Sequence, residues 1–121
     1  MRVFSISANV FKAGKIELTD INKQDIINYD SIQTLAKKKF CDFHIKKKTD
    51  MKYIPDDNVY TVLARRKWIK PNYIFGISST AIPKNASKQE VAQCIMETSI
   101  KAANTVKEKI CDLAKAFIGT R

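Results

Sequence analysis

The sequence is poor in the residues that build several common kinds of protein. Its three glycines are isolated, its three cysteines have no paired spacing, and it contains one histidine. Isolated glycines exclude a glycine-rich phosphate loop, and the odd number of cysteines argues against a disulfide framework and fits a reducing compartment. Because a zinc site needs about four Cys or His ligands, we expect no metal. No apolar run is long enough to cross a bilayer, so we expect a soluble, cytosolic protein without a membrane partner.

Groups for acid–base or nucleophilic catalysis are also scarce. His44 has no candidate nucleophile beside it, and Asp56 and Asp57 belong to a turn sequence. Cys94 and Cys111 fall on the apolar stripe of a predicted helix, where we expect buried core thiols. Acid–base catalysis needs titratable groups held in an apolar pocket, and no such arrangement is evident. We therefore expect a protein that is not an enzyme and needs no cofactor.

Positive charge is what the sequence has in excess. The chain has 121 residues, of which 45% are hydrophobic and 28% charged, as in a single globular domain spanning residues 1–121. Its net charge of +10 attracts anions of any kind. Most basic residues are lysines, which favour a solvated surface, whereas arginine makes planar, bidentate contacts to phosphate. The candidates for specific contacts are therefore the four arginines, Arg2, Arg65, Arg66 and Arg121.

Residues 1–82 are mostly strand-like, because apolar and polar side chains alternate there. The predicted strands are residues 2–11, 15–20, 39–45, 59–69 and 73–82, with a possible short helix at 30–37. The first two flank a turn at Ala13-Gly14 and so predict a hairpin. Lysine clusters at 37–39 and 46–48 bracket the third strand. Such lysines are typical of a sheet edge protected from pairing, and anion binding is an equally open interpretation.

Residues 87–118 change to the spacing of a helix. Ser87 and Glu90 form a capping-box sequence, and Gly119 is a typical helix end. The stripe of apolar or small side chains is Val91, Cys94, Ile95, Thr98, Ala102, Thr105, Val106, Ile110, Leu113, Ala114 and Phe117. This pattern predicts one long helix, or two with a break near residues 103–105. The fold class is therefore α+β, an antiparallel sheet covered by C-terminal helix. Since such a helix has apolar surface left over, we expect at least a homodimer.

Two groups of residues suit an anionic, planar ligand. On a strand, Arg66 and Trp68 share one face and Arg65 points to the other. A guanidinium beside an indole can bind phosphate and stack on a ring, although a basic edge strand with a core tryptophan explains the same pattern. The second group begins at Phe75, continues through small and hydroxyl side chains, and ends at Asn85, whose amide can contact a nucleobase. On periodicity alone, a strand, a proline-containing loop and a helix cap explain that group better.

With these residues the sequence resembles a phage family, the first type of Thoeris anti-defence protein. The resemblance covers the whole length: small size, an opening ANVFKAGKIE-like hairpin, a β-rich first half and C-terminal helix. Its sharpest point is Phe75 with Asn85 ten residues later, like the aromatic and amide residues that hold the ligand in that family.

The resemblance implies a protein that sequesters a signal and leaves it intact. Members are oligomers built from dimers that bind glycocyclic ADP-ribose, an isomer of cyclic ADP-ribose, in the cytoplasm of the infected host and so starve the Thoeris effector. Some also bind cyclic oligonucleotides at separate sites. On this chain the resemblance implies that Phe75 stacks on adenine and Asn85 bonds to the base or ribose. Phe11 and Phe117 would complete an apolar wall, and the pyrophosphate would meet one of Arg65, Arg66 and Arg121.

Three other functions compete with this one. A small nucleic-acid-binding phage regulator is the main alternative, supported by the net charge and by residues 65–68. An inhibitor that docks on a host protein predicts an exposed apolar patch and no small-molecule pocket. A hydrolase acting on the cyclic nucleotide lacks an evident base.

Overall fold

One sheet and two helices form the described part of the chain. The structure, a computed structural model, describes residues 13–67 and 73–119, without the side chains of 117–119. In chain order the elements are β1 (Ile16–Thr19), a 3₁₀ turn (Lys23–Asp25), α1 (Tyr29–Lys38), β2 (Asp42–Lys48), β3 (Asp57–Lys67), β4 (Tyr73–Pro83) and α2 (Lys88–Gly119). The expected α+β fold is confirmed. The predicted strand at 2–11, which is half of the expected hairpin, and Trp68 lie outside the described residues.

The strands follow the order β1-β2-β3-β4, and the sheet is mixed. β2, β3 and β4 are antiparallel neighbours, as expected, but β1 pairs with β2 in parallel. The chain returns from β1 to β2 through α1, and a helical crossover of this kind joins parallel strands. β2 is consequently an inner strand, so the interpretation of the flanking lysines as protection of a sheet edge is wrong.

Alternating side chains of the strands build the core on one face of the sheet, called here the inner face. Cys41, Phe43 and Ile45 are buried together, as their spacing predicts. α1 and α2 cover this face. The other buried apolar residues are Ile26, Ile32, Ala36, Tyr60, Val62, Ala64, Ile74, Ala92, Ile95, Ala102, Ala103 and Val106. The opposite face, called the outer face, is not covered by any described element.

α2 is a single helix, without a break at residues 103–105. Its start is the predicted capping box: the N–H of Ser87 donates to Glu90 Oε1 and the N–H of Glu90 donates to Ser87 Oγ, both over 3.1 Å. After Ile110 its side chains are exposed as far as residue 116. Cys111 is therefore exposed, contrary to our expectation of a core thiol, because no described strand packs against its side of the helix. Among the described helices, none combines the length and apolarity needed to span a bilayer.

β4 approaches α2 closely at Gly76. A Cβ atom placed on this glycine would lie 2.2 Å from the carbonyl oxygen of Ala102 and 3.0 Å from the backbone nitrogen of Val106. The missing side chain lets the two backbones approach directly. This contact brings the first residues of β4 beside the exposed part of α2.

Candidate ligand-binding site

Two aromatic side chains at the start of β4 form the centre of the site. Tyr73 and Phe75 project from the outer face, with exposed fractions of 43% and 44%. Their ring centroids are 6.2 Å apart and the ring planes are tilted by 41°, within the usual range for an aromatic pair. The alternation predicted for this strand is confirmed, but its aromatic side chains point away from the core. They offer ring faces to a planar ligand.

Arg65 supplies positive charge beside these rings. It is the register partner of Phe75 on β3, and its guanidinium carbon lies 5.5 Å from the centroid of the Tyr73 ring. Its nitrogens are 3.7 Å from a Glu17 oxygen and 3.9 Å from an Asp42 oxygen. Both separations exceed hydrogen-bond length. The carboxylates therefore attract the guanidinium but form no hydrogen bond with it at these distances. Arg65 can therefore turn toward a phosphate that reaches the ring pair.

A groove of about 470 Å³ lies between the start of β4 and α2. Its lining consists of Tyr73, Ile74, Phe75, Lys109, Asp112 and Leu113. The Lys109 ammonium donates to the carbonyl oxygen of Phe75 over 2.6 Å, which ties the helix to the strand. The volume falls within the range of small-molecule sites, and the mixture of apolar walls with a few charged groups is typical of them. The groove is open to solvent along the strand.

Arg66 lies on the other side of the sheet. Its guanidinium carbon is 5.4 Å from the centroid of the Phe40 ring, so neighbouring arginines serve opposite faces, as strand alternation predicts. Phe40 is 48% exposed and has a φ of 56°, a left-handed conformation in which glycine is favoured. A ligand on Phe75 therefore meets Arg65 and not Arg66.

Asn85 is remote from Phe75 within one chain. It is exposed in the turn after β4, whereas Phe75 lies near the beginning of the strand. Phe75 and Pro83 are eight positions apart on the strand, a length of about 26 Å. A nucleotide cannot contact both residues of the same copy. Phe11, Arg121 and the side chain of Phe117 lie outside the described residues.

Some polar groups of the segment between these two residues, and of the helix start that follows Asn85, are already engaged within the protein. Ser79 Oγ and Thr61 Oγ1 are 2.9 Å apart, and the capping box engages the N–H groups of Ser87 and Glu90. These hydroxyl and amide groups are therefore less available to a ligand. The ring pair, Arg65 and the groove are the stronger candidates.

The titratable groups of the inner face are protected by burial. Burial raises the pKa of the Cys41 and Cys94 thiols and of the Tyr60 hydroxyl, so all three stay protonated near neutral pH and the thiols are poor nucleophiles. His44 lies on the outer face, with Nε2 2.7 Å from Thr19 Oγ1. In residues 13–67 and 73–119 no three His, Cys, Asp or Glu side chains come close enough to hold a metal ion.

Sequence reasoning missed five of the six residues that line the groove. Tyr73 was recognisable, because it precedes Phe75 by two positions and must share its face. Lys109 and Leu113 were not, since only the packing of α2 against Gly76 places them beside β4. No family model, no curated protein sequence and no solved structure matches this chain.

Proposed function

We propose that this protein binds a cyclic ADP-ribose isomer of the glycocyclic type and sequesters it without degrading it. In an infected bacterium the bound signal would be withheld from the Thoeris effector, which makes the protein a phage anti-defence protein of the host cytoplasm. The single observation that carries the proposal is the Tyr73–Phe75 ring pair beside Arg65 and the groove.

The chemistry of this site matches the parts of such a ligand. An adenine ring stacks on an aromatic face, with a typical contribution of about 1–3 kcal/mol. The guanidinium of Arg65 can form paired hydrogen bonds with a pyrophosphate. Lys109 adds a second positive charge at the groove. Binding without reaction needs only these contacts.

The proposed pocket requires two copies of the chain. The resemblance assigns Phe75 and Asn85 to one ligand, yet a single copy separates them by the length of β4. The two residues contact one ligand only if they come from different copies. A homodimer, which the sequence also led us to expect, is therefore part of the proposal.

The test is capture and release of intact ligand. Purified protein is mixed with cyclic ADP-ribose isomers and retained on a filter, then heated, and the released nucleotide is analysed by mass spectrometry. We expect intact ligand to be released only after heating. Phe75→Ala and Arg65→Gln should each weaken binding about tenfold or more, because each removes a stacking or charged contact.

Tyr53→Ala is the matched control. Tyr53 is an aromatic residue that is 88% exposed, and it lies in the turn between β2 and β3, far from Phe75 along the sheet. This variant should retain full binding. Unchanged ligand in the filtrate would contradict sequestration, and a degraded ligand would show that the protein is an enzyme.

Binding of single-stranded nucleic acid is the second candidate. Its specific observation is the second arginine–aromatic pair, Arg66 with Phe40, on the other side of the same end of the sheet. A strand passing around this end could stack on both pairs. Polymer binding should weaken steeply as salt is raised, because many counterions are released, whereas one pyrophosphate in a pocket should depend much less on salt.

A further inference from the structure

Asp112 is an acidic side chain in a groove that the proposed function assigns to an anionic ligand. One wall of the groove is α2, where Lys109, Asp112 and Leu113 share a helix face because they are three and four positions apart. The other wall is the start of β4, with Tyr73 and Phe75. A carboxylate repels a phosphate, so Asp112 must face a different part of the ligand.

The Asp112 carboxylate has no partner within the described protein. Lys109 is the basic residue of the groove, but its ammonium donates to the carbonyl of Phe75 over 2.6 Å. The ion pairs found within residues 13–67 and 73–119 join other side chains. An ionised carboxylate accepts hydrogen bonds and donates none. Asp112 therefore offers acceptor oxygens to a molecule that enters the groove.

Arg65 and Asp112 approach the aromatic pair from different sides of the sheet. Arg65 lies on the outer face, with its guanidinium carbon 5.5 Å from the centroid of the Tyr73 ring. α2 packs on the inner face, so Asp112 approaches the start of β4 from that side. A guanidinium only donates hydrogen bonds. A ligand that lies across the rings therefore meets donors on one side and acceptors on the other.

A nucleotide has the matching polarity. Its phosphate oxygens accept hydrogen bonds, whereas the hydroxyl groups of its ribose can donate them. With the phosphates toward Arg65, the ribose can lie toward Asp112. The reverse direction would place phosphate oxygens against the carboxylate, and such a contact between like charges is costly.

We propose that Asp112 accepts hydrogen bonds from the vicinal hydroxyls of a ribose and thereby sets the direction in which the nucleotide lies across Tyr73 and Phe75. This role rests on the proposed function and adds a specificity-determining residue to it. An acidic side chain binds a ribose hydroxyl in the same way in dinucleotide-binding folds. A site that depends on such a hydrogen bond rejects an analogue without the hydroxyl, because the acceptor is left without a partner.

The test is the affinity for two nucleotides that differ only in these hydroxyls. Isothermal titration calorimetry is carried out with ADP and with 2′,3′-dideoxy-ADP. The wild type should bind ADP about tenfold or more tightly than the dideoxy analogue. Asp112→Asn should lose most of this preference, because an uncharged amide is a weaker acceptor. Its affinity for inorganic pyrophosphate should not fall, since a repulsive charge has been removed.

Glu108→Gln is the matched control. It removes the same charge from the same exposed part of α2, but Glu108 does not line the groove. This variant should keep the preference of the wild type for ADP, which separates a contact with the ribose from an effect of net charge. Circular dichroism and thermal melting check that both variants fold like the wild type.

An equal preference for ADP in the wild type and in Asp112→Asn would overturn the proposal, and so would a wild type that does not bind ADP. Inosine diphosphate, which lacks the exocyclic amine of adenine, is the third nucleotide probe. If Asp112→Asn instead removes a preference for ADP over inosine diphosphate, Asp112 contacts the base and the ribose assignment is wrong.

Capture of cyclic ADP-ribose isomers is measured on the same three proteins. Capture by a wild type that shows no preference for the ribose hydroxyls would refute the role of Asp112 alone. A preference that depends on Asp112, without capture of any cyclic isomer, would refute the proposed function alone.

Discussion

The two edges of the sheet differ in length, charge and neighbours. β1 has four residues and is flanked by charges: Lys15 and Glu17 form an ion pair of 3.5 Å, and Asp20 follows the strand. β4 has eleven residues and no charge. A short, charged strand discourages further pairing, whereas a long, uncharged one invites it. The difference teaches that the two edges of the described sheet are protected unequally, since no described element pairs with the outer edge of β4.

The open edge is also the edge that carries the aromatic pair. Tyr73 and Phe75 lie on β4, and this part of the strand meets α2 at Gly76 and through the hydrogen bond from Lys109 to the Phe75 carbonyl. Changes to this strand should therefore affect ligand capture. Three further measurements test how much contacts near each edge of the sheet contribute to the free energy of unfolding. They are given in order of decreasing expected effect.

Gly76→Ala should have the largest effect on stability. The added methyl would meet the backbone carbonyl of Ala102, which cannot move aside as a flexible side chain does. We expect a loss of about 3 kcal/mol in the free energy of unfolding, measured by urea denaturation at one protein concentration. Ser78→Ala, on the same face of β4, is the control and should change stability little. A Gly76→Ala protein as stable as the wild type would mean that β4 can move away from α2.

Gly14→Ala should have a smaller effect at the β1 side. Gly14 has a φ of 96°, which L-residues rarely adopt, and its N–H donates to the Cys41 carbonyl over 3.1 Å. The strain predicts a loss of about 1–2 kcal/mol in the free energy of unfolding. A new Cβ would also meet Lys37 Cγ at 2.3 Å, but that side chain can move. Adding Lys37→Ala should therefore fail to restore stability, whereas a rescue would assign the effect to crowding.

Raising the pH above neutrality should have the smallest effect on the free energy of unfolding. The raised pKa values of Cys41, Cys94 and Tyr60 mean that the unfolded chain releases these protons before the folded chain does. The stability that these three groups contribute to the folded state is complete below about pH 8.5. It is lost as the pH rises through their raised pKa values. Cys41 lies beside the β1 side, where its carbonyl accepts from Gly14, and Cys94 lies beside Thr80 of β4. Cys41→Ala and Cys94→Ala should each reduce the slope of stability against pH between pH 8 and 11. An unchanged slope in both would show that neither thiol remains buried in solution.

Local sequence patterns predicted most of the elements, because the forces that set them act locally. Alternation gave β2, β3 and β4 to within a few residues, and the capping box gave the start of α2. The lysine clusters led to a wrong assignment of β2 as an edge strand of the sheet. Lysines at 46–48 made β2 resemble an edge strand, yet β1 pairs with it through the helical crossover. Strand neighbours depend on long-range packing that a local pattern does not encode.

The candidate site was less predictable for the same reason. Phe75 was found from its position on an alternating strand, and the separation of Phe75 from Asn85 followed from strand length alone. The pairing of Arg65 with Glu17 and Asp42 joins three strands, so no local pattern contains it. Lys109 enters only through the close approach at Gly76.

The buried and exposed parts of α2 should differ in local stability. Val106 is buried in the core, whereas the side chains of residues 111–116 are exposed. Amide hydrogens of the buried half exchange with solvent only when the whole domain opens, whereas those of the exposed half exchange through local fraying. Hydrogen exchange along this helix can therefore show where a change occurs. A change in the core should alter the exchange of amides N-terminal to Val106, and a partner bound to the exposed end should alter the exchange of amides C-terminal to it.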